Sequence, residues 1–272
     1  MKKIIIYALA FFASSLLQAQ ELQSQWKGAK VAFLGDSITD IRQLPDNDVF
    51  WHQLVPILGI EPYVYGISGH KMIHITGQAE KLEEEHGKDV DAIVVFVGTN
   101  DFCASVPIGE WFAYDTLMTN KDGVQVALKH RTVNFDKGTF CGRISTVVVY
   151  LKEHFPDQQI IFLTPIHRGP AQFSSDNVQP DESYANKEGF FIDDYVRTLN
   201  EAADIWGVPV IDLNAICGIN PMVESNHKYF RSPRRAENGH IDLLHPNTPG
   251  HLRMAYALAF QLLAYPSGRE WK

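Results

Sequence analysis

The sequence predicts a single α/β domain built on a five-stranded parallel sheet. Three observations carry this reading. Short apolar runs rich in β-branched residues alternate with longer amphipathic stretches, the pattern left by parallel strands joined through crossover helices. The irregular length is concentrated in three connections, each following a predicted strand. No internal repeat, low-complexity tract or linker divides the chain, and its 272 residues suit one open sheet with one core.

The elements follow in order. Residues 30–34 form the first strand, closed by Gly35, and residues 48–58 the helix after it. A short strand at 63–65 leads to a helix over 72–85, and the β-branched run 92–97 is the third strand. Beyond the long connection 102–142 come a helix over 144–154 and a fourth strand over 159–163. The connection 167–189 precedes a helix over 190–206 and a fifth strand over 209–213; the connection 214–240 precedes the last helix, 249–264. That helix has a clear start signal, because Asn247 or Thr248 can cap it and Pro249 fits its first turn. The ligand crevice of an open α/β sheet lies beyond the carboxyl ends of its strands, so all three insertions are expected to gather around one site.

Composition excludes some partners. The chain is 45% hydrophobic and 21% charged, as globular proteins are, and its net charge of −8 comes with no long Lys/Arg run. Nucleic acid and anionic membrane surfaces need clustered cations and are not expected partners. At the N-terminus, Lys2 and Lys3 precede an apolar run over residues 4–17 and then small or polar residues through Ala19 and Gln20. This reads as a signal peptide, residues 1–19, cleaved near Ala19 and leaving a mature domain over 20–272. The run is shorter than the ~20 residues that cross a bilayer, and no cysteine follows it for lipid modification. The expectation is therefore an exported, periplasmic or extracellular protein without stable membrane insertion. Export opens the way to a disulfide, for which Cys103 and Cys141 are the natural pair; three buried thiols are the equal alternative.

The candidate chemistry sits at the predicted strand exits. Gly35-Asp36-Ser37-Ile38-Thr39 ends the first strand, and a serine there can project its hydroxyl into the crevice, although an ordinary turn would use Asp36 and Ser37 as backbone caps. Asp242 and His245 lie three apart on a predicted turn before the last helix, close enough for a carboxylate to fix the imidazole tautomer. Gly69, after the second strand, can bring a backbone N–H near a substrate, and Asn100, after the third, can offer its amide to an oxyanion. Gly66-Ile67-Ser68-Gly69-His70 nearly matches a nucleophile elbow centred on Ser68, but His70 stands where that motif needs glycine.

Taken together these segments resemble the SGNH or GDSL-type hydrolases. Gly35-Asp36-Ser37 resembles the first conserved block of that family, Gly69 the glycine of the second, Gly98-Thr99-Asn100-Asp101 the third, and Asp242-Leu243-Leu244-His245 the last. Ile38 replaces the leucine of the family's name motif, a conservative change. The resemblance implies a flavodoxin-like three-layer α/β/α fold and ester hydrolysis through an acyl-serine intermediate. It makes Ser37 the nucleophile, His245 the general base and Asp242 its orienting acid, with an oxyanion hole from the Ser37 and Gly69 N–H groups and the Asn100 amide. It requires no metal or organic cofactor.

Substrate contacts are assigned to Asp36, Trp111, His167 and Arg168, with Phe112 and Tyr114 near Trp111. Aromatic faces suit sugar rings or acyl chains equally. Export, and the absence of a broad apolar stretch in the insertions, point to a short acyl group such as acetyl on a carbohydrate. A long-chain lipid or phospholipid acylhydrolase is the alternative. Two further classes are a phosphoesterase with a divalent ion among Asp36, Asp40, Asp101, His240, Asp242 and His245, and a non-catalytic carbohydrate-binding protein.

Overall fold

The computed structural model describes residues 24–43 and 48–271; the expected signal peptide lies outside them. The chain runs through β1 (Lys30–Gly35), α1 (Phe50–Leu58), β2 (Glu61–Val64), α2 (Ile75–His86), β3 (Ala92–Phe96), α3 (Thr99–Cys103), β4 (Phe112–Lys121), β5 (Val124–Val133) and α4 (Phe140–His154). It continues through β6 (Gln159–Leu163), β7 (Ala171–Gln172), β8 (Val178–Gln179), α5 (Ile192–Trp206), β9 (Val210–Ile211), α6 (Leu213–Ile216), β10 (Phe230–Ser232), β11 (Ile241–Pro246) and α7 (Thr248–Leu262).

Five strands form the predicted parallel sheet in the order β2-β1-β3-β6-β9. Successive side chains point to opposite faces, so each central strand serves two cores. Val31 and Phe33 face α1 and α7, packing with Leu54, Met254 and Leu258. Ala32 and Leu34 face the other side, with Ala79 of α2, Val148 of α4 and Leu199 of α5. Because both faces are covered, the central strands read as unbroken apolar runs. Each large apolar side chain buried this way contributes roughly 1.5–3 kcal/mol.

Element limits moved by a few residues where caps decide them. The α4 helix begins at Phe140, ahead of the predicted start, because the Thr139 hydroxyl accepts from the Gly142 N–H at 3.2 Å. The α7 helix is capped by Asn247, whose side chain accepts from the Gly250 N–H at 3.1 Å. The predicted helix over 72–85 opens as a 3-10 turn, Met72–His74, before becoming α2.

Two features were not expected. The first insertion, 102–142, contains a hairpin of two ten-residue strands, β4 and β5, turned at Asp122 and Gly123 with φ of 55° and 82°. Most of its side chains are exposed; Asp115 and His130 pair across it at 2.9 Å, and Lys129 lies over the Tyr114 ring. The second and third insertions, with the strand β11 that follows the third, build an antiparallel sheet in the order β10-β11-β7-β8. This small sheet stands beside the carboxyl ends of the main sheet and forms one wall of a cleft.

Candidate active site

Ser37 leaves β1 on a tight turn in which Thr39 and Asp40 donate their N–H groups to the Asp36 carbonyl, at 3.1 and 3.0 Å. Gly35 is required by crowding, since a Cβ there would sit 2.3 Å from Thr39 Oγ1 and 2.8 Å from the Phe96 carbonyl. The Ser37 hydroxyl meets His245 Nε2 at 2.9 Å, and His245 Nδ1 meets Asp242 Oδ2 at 2.9 Å. Facing a carboxylate, Nδ1 carries the ring proton, which leaves Nε2 to accept from the serine.

Asp242 and His245 lie on strand β11 and not on the predicted turn. The strand is held on both sides, by Ser232 of β10 opposite Asp242 and by Ala171 of β7 on its other edge. Asp242 Oδ1 also accepts from the N–H groups of Leu244 and His245, at 3.1 and 2.9 Å. Burial would raise the carboxyl's pKa, but the His245 contacts and the two backbone donors outweigh it and hold it below the usual range.

Gly69 and Asn100 line the same cleft as Ser37. Gly69 has φ of 82° and open space where a Cβ would lie, so its backbone conformation favours glycine here. Its loop is anchored by Asp40, whose Oδ2 accepts from both the N–H and the hydroxyl of Ser68 at 3.0 and 2.9 Å. The Ser68 hydroxyl thus meets a carboxylate, unlike Ser37, which meets an imidazole. Asn100 Nδ2 donates to the His70 carbonyl at 3.0 Å, which fixes the donor end of the amide.

None of the four residues assigned as substrate contacts lines the cleft. Asp36 is 2% exposed, and its Oδ1 accepts from the Ile38 N–H at 3.0 Å. Burial, with a smaller push from the Asp101 charge, raises its carboxyl to about 7. Trp111 packs against the helix-side core and donates from Nε1 to Glu201 Oε2 at 2.9 Å, so its insertion docks on α5 and away from the strand ends. No residue of that insertion lines the cleft, which overturns the expectation that all three insertions meet there. His167 is bound to Glu182 at 2.8 Å. Arg168, 1% exposed, donates from Nη2 to Gln179 Oε1 at 2.8 Å and from Nη1 towards Thr99 and Cys103.

The cleft holds about 470 Å³. Besides the serine, its walls carry Phe173, Asn177 and Gln179 from the second insertion and Arg231, Ser232 and His240 from the third. The sequence points to His240 only as a metal ligand and to the other five not at all, because strands of two or three residues leave no periodic signal. A larger hollow of about 640 Å³, bordered by Arg42, Tyr65 and His74, shares no lining residue with it and contains no nucleophile-base pair. Among the described residues no three His, Cys, Asp or Glu side chains converge as metal ligands. The carboxylates of the phosphoesterase alternative are dispersed: Asp40 pairs with Arg42 at 2.7 Å and Asp101 with Arg143 at 2.8 Å. The three cysteines are free thiols, and burial pushes the Cys141 thiol up to about 12.

A parallel α/β sheet whose strand exits bring a serine, an imidazole and a carboxylate into one hydrogen-bonded chain defines the hydrolase class. The chain belongs to the GDSL-like lipase/acylhydrolase family, whose model matches residues 33–253. Membership makes it an ester-hydrolysing enzyme by family. A solved structure from Lactobacillus plantarum is similar at 22% identity and TM-score 0.67, covering 88% of this chain and 98% of that one. A carbohydrate acetylesterase family member from Sinorhizobium meliloti is similar at 14% identity and TM-score 0.53, covering 86% and 97%. A catalytic mutant of an acetylxylan esterase from Geobacillus stearothermophilus is similar at 16% identity and TM-score 0.51, covering 89% and 96%. At these identities the likeness is one of fold. No curated protein matches the chain.

Proposed function

We propose that this protein is an exported serine esterase that removes short acyl groups, acetyl foremost, from carbohydrate. The observation that carries the reading is the unbroken chain from Ser37 through His245 to Asp242, with 2.9 Å at each link. In this mechanism Ser37 Oγ attacks the ester carbonyl while His245 Nε2 takes its proton, and Asp242 stabilises the imidazolium that forms. The backbone N–H groups of Ser37 and Gly69 and the Asn100 amide hold the oxyanion. His245 returns the proton to the leaving alcohol, a water repeats the attack on the acyl-serine, and Ser37 is regenerated. No cofactor takes part.

The acyl preference rests on the cleft lining, where Phe173 and Leu244 are the large apolar side chains among polar neighbours. A long acyl chain gains ~0.8 kcal/mol for each methylene it buries, which requires an apolar channel. The acetylesterase activities named for two structural neighbours support the same class. Export rests on the basic, apolar and small-residue succession over residues 1–20.

A serine-reactive phosphonate should label folded protein at Ser37, mapped by peptide mass, and not at Ser68. Aryl esters of increasing acyl length should be turned over fastest at acetyl, with acetate released from acetylated polysaccharide. Labelling elsewhere would refute the nucleophile, and faster turnover of long chains would refute the acyl assignment.

A further inference from the structure

The β7-β8 hairpin is placed by backbone pairing beside the reacting groups. Gln172 and Ala171 pair with Ile241 and Asp242 of β11, and the Leu243 N–H donates to the Pro170 carbonyl at 3.1 Å. The hairpin closes through the Phe173 N–H on the Asn177 carbonyl at 3.0 Å. This holds Phe173 in fixed register with the strand bearing His245. The Phe173 ring lies 5.5 Å from the His245 ring and 6.1 Å from that of His240, yet is 37% exposed. A partly exposed aromatic ring therefore lines the cleft, next to the base that protonates the leaving alcohol.

A relay of amides sets the polarity beside that ring. The guanidinium of buried Arg168 has no acceptor, so Gln179 must turn its Oε1 towards it, and it does so at 2.8 Å. The opposite end of the same amide, Nε2, then donates to Asn177 Oδ1 at 3.0 Å. With its oxygen engaged, Asn177 is left to present its Nδ2 donors. The wall thus combines one aromatic face with a fixed donor, among polar neighbours including Ser232 and His240. A pyranose matches it, having a face of C–H groups and equatorial hydroxyl oxygens at its rim; an alkyl chain would desolvate the polar neighbours without compensation.

We infer that the β7-β8 hairpin is the alcohol-side subsite of the cleft, where a pyranose unit of the substrate stacks on Phe173 and accepts a hydrogen bond from Asn177 Nδ2. Arg168 and Gln179 are positioning residues that act through Asn177. The inference rests on the esterase reading for its placement on the alcohol side, and its test separates the two.

Binding is measured by calorimetry in Ser37→Ala, where nothing is turned over, with partially O-acetylated xylo-, manno- and chito-oligosaccharides. The best of these should lose at least tenfold in affinity on adding Phe173→Ala, should recover with Phe173→Trp, and should lose about threefold with Asn177→Ala. Gln179→Glu keeps the bond to Arg168 but removes the donor to Asn177; it should match Asn177→Ala, and the double variant should add nothing further. In the active enzyme, Phe173→Ala should lower kcat/KM for the oligosaccharide relative to an aryl acetate at least tenfold, with the change in KM. Equal losses on both esters would show that Phe173 only supports His245 and would overturn the subsite. Failure of all three oligosaccharides to bind, while the aryl acetate is still hydrolysed, would overturn the subsite and leave the esterase standing. Phe173-dependent oligosaccharide binding without hydrolysis of any ester would uphold the subsite and sink the esterase.

Discussion

Asp36 gives the sharpest test of the electrostatics under the serine. Its carboxyl is buried and rises from an ordinary value near 3.8 to about 7. Between those pH values the folded chain holds a proton that the unfolded chain has released. Stability from this group is therefore complete below about pH 4 and falls as pH rises through 7. A displacement of about 3 pH units at ~1.36 kcal/mol each corresponds to a penalty on the order of 4 kcal/mol at pH 8. His251 opposes it in nearly the same window. Fully buried, with Nδ1 accepting from the Phe50 N–H at 3.2 Å, it is lowered by burial to about 3, so its stability contribution is present above about 6.5 and lost towards acid. The wild-type profile mixes the two, and the variant Asp36→Asn isolates one, since an Asn oxygen still accepts from the Ile38 N–H. Urea unfolding from pH 4 to 8.5 should show no advantage for Asp36→Asn at pH 4 and a gain of several kcal/mol, up to about 4, at pH 8. Parallel profiles would refute an ionisation of Asp36 near neutrality.

Four further outcomes follow from the geometry. Asn100→Ala should lower kcat for an aryl acetate by about 100-fold or more with little change in KM, as removal of one oxyanion donor does; a KM effect alone would reassign the residue to substrate binding. Asp242→Asn should lower kcat by roughly 10,000-fold while leaving the melting temperature within a few degrees, because the amide supports the wrong imidazole tautomer. Trp111→Ala should cost about 1–3 kcal/mol in denaturant unfolding, through lost packing and the freed Glu201, and leave KM unchanged. For the thiols, a maleimide should label Cys103 in the native protein and reach Cys141 and Cys217 only on unfolding, with no shift in melting temperature on adding reductant.

Much of the scaffold was readable because its signals are local. The run Ala92–Phe96 is apolar throughout, as a strand covered on both faces must be, and Asn247 followed by Pro249 announces the start of α7 within three residues. The hairpin was also announced, by Asp122-Gly123 between two extended runs, a strong turn signal. Ten-residue strands exposed on both faces lack the clean alternation of a half-buried sheet, so that turn signal stands without strand periodicity around it. Trp111 was misplaced for a different reason: an aromatic in an insertion reads alike whether it faces a crevice or, as here, packs on a helix and bonds to a residue 90 positions away.

By itself, then, the sequence determined the parallel sheet, its crossover helices and the four segments that carry Ser37, Gly69, Asn100 and the Asp242-His245 pair, since periodicity, turn residues and short spacings express neighbouring interactions. Only the tertiary structure decided that β11 is a strand, that β7 and β10 flank it, and that Phe173 stands over His245 while Trp111 does not approach it. Those outcomes depend on pairings between short strands, some 70 residues apart for β7 and β11 and 10 to 16 for β10 and β11, and on burial, which belongs to the assembled core and not to any one segment.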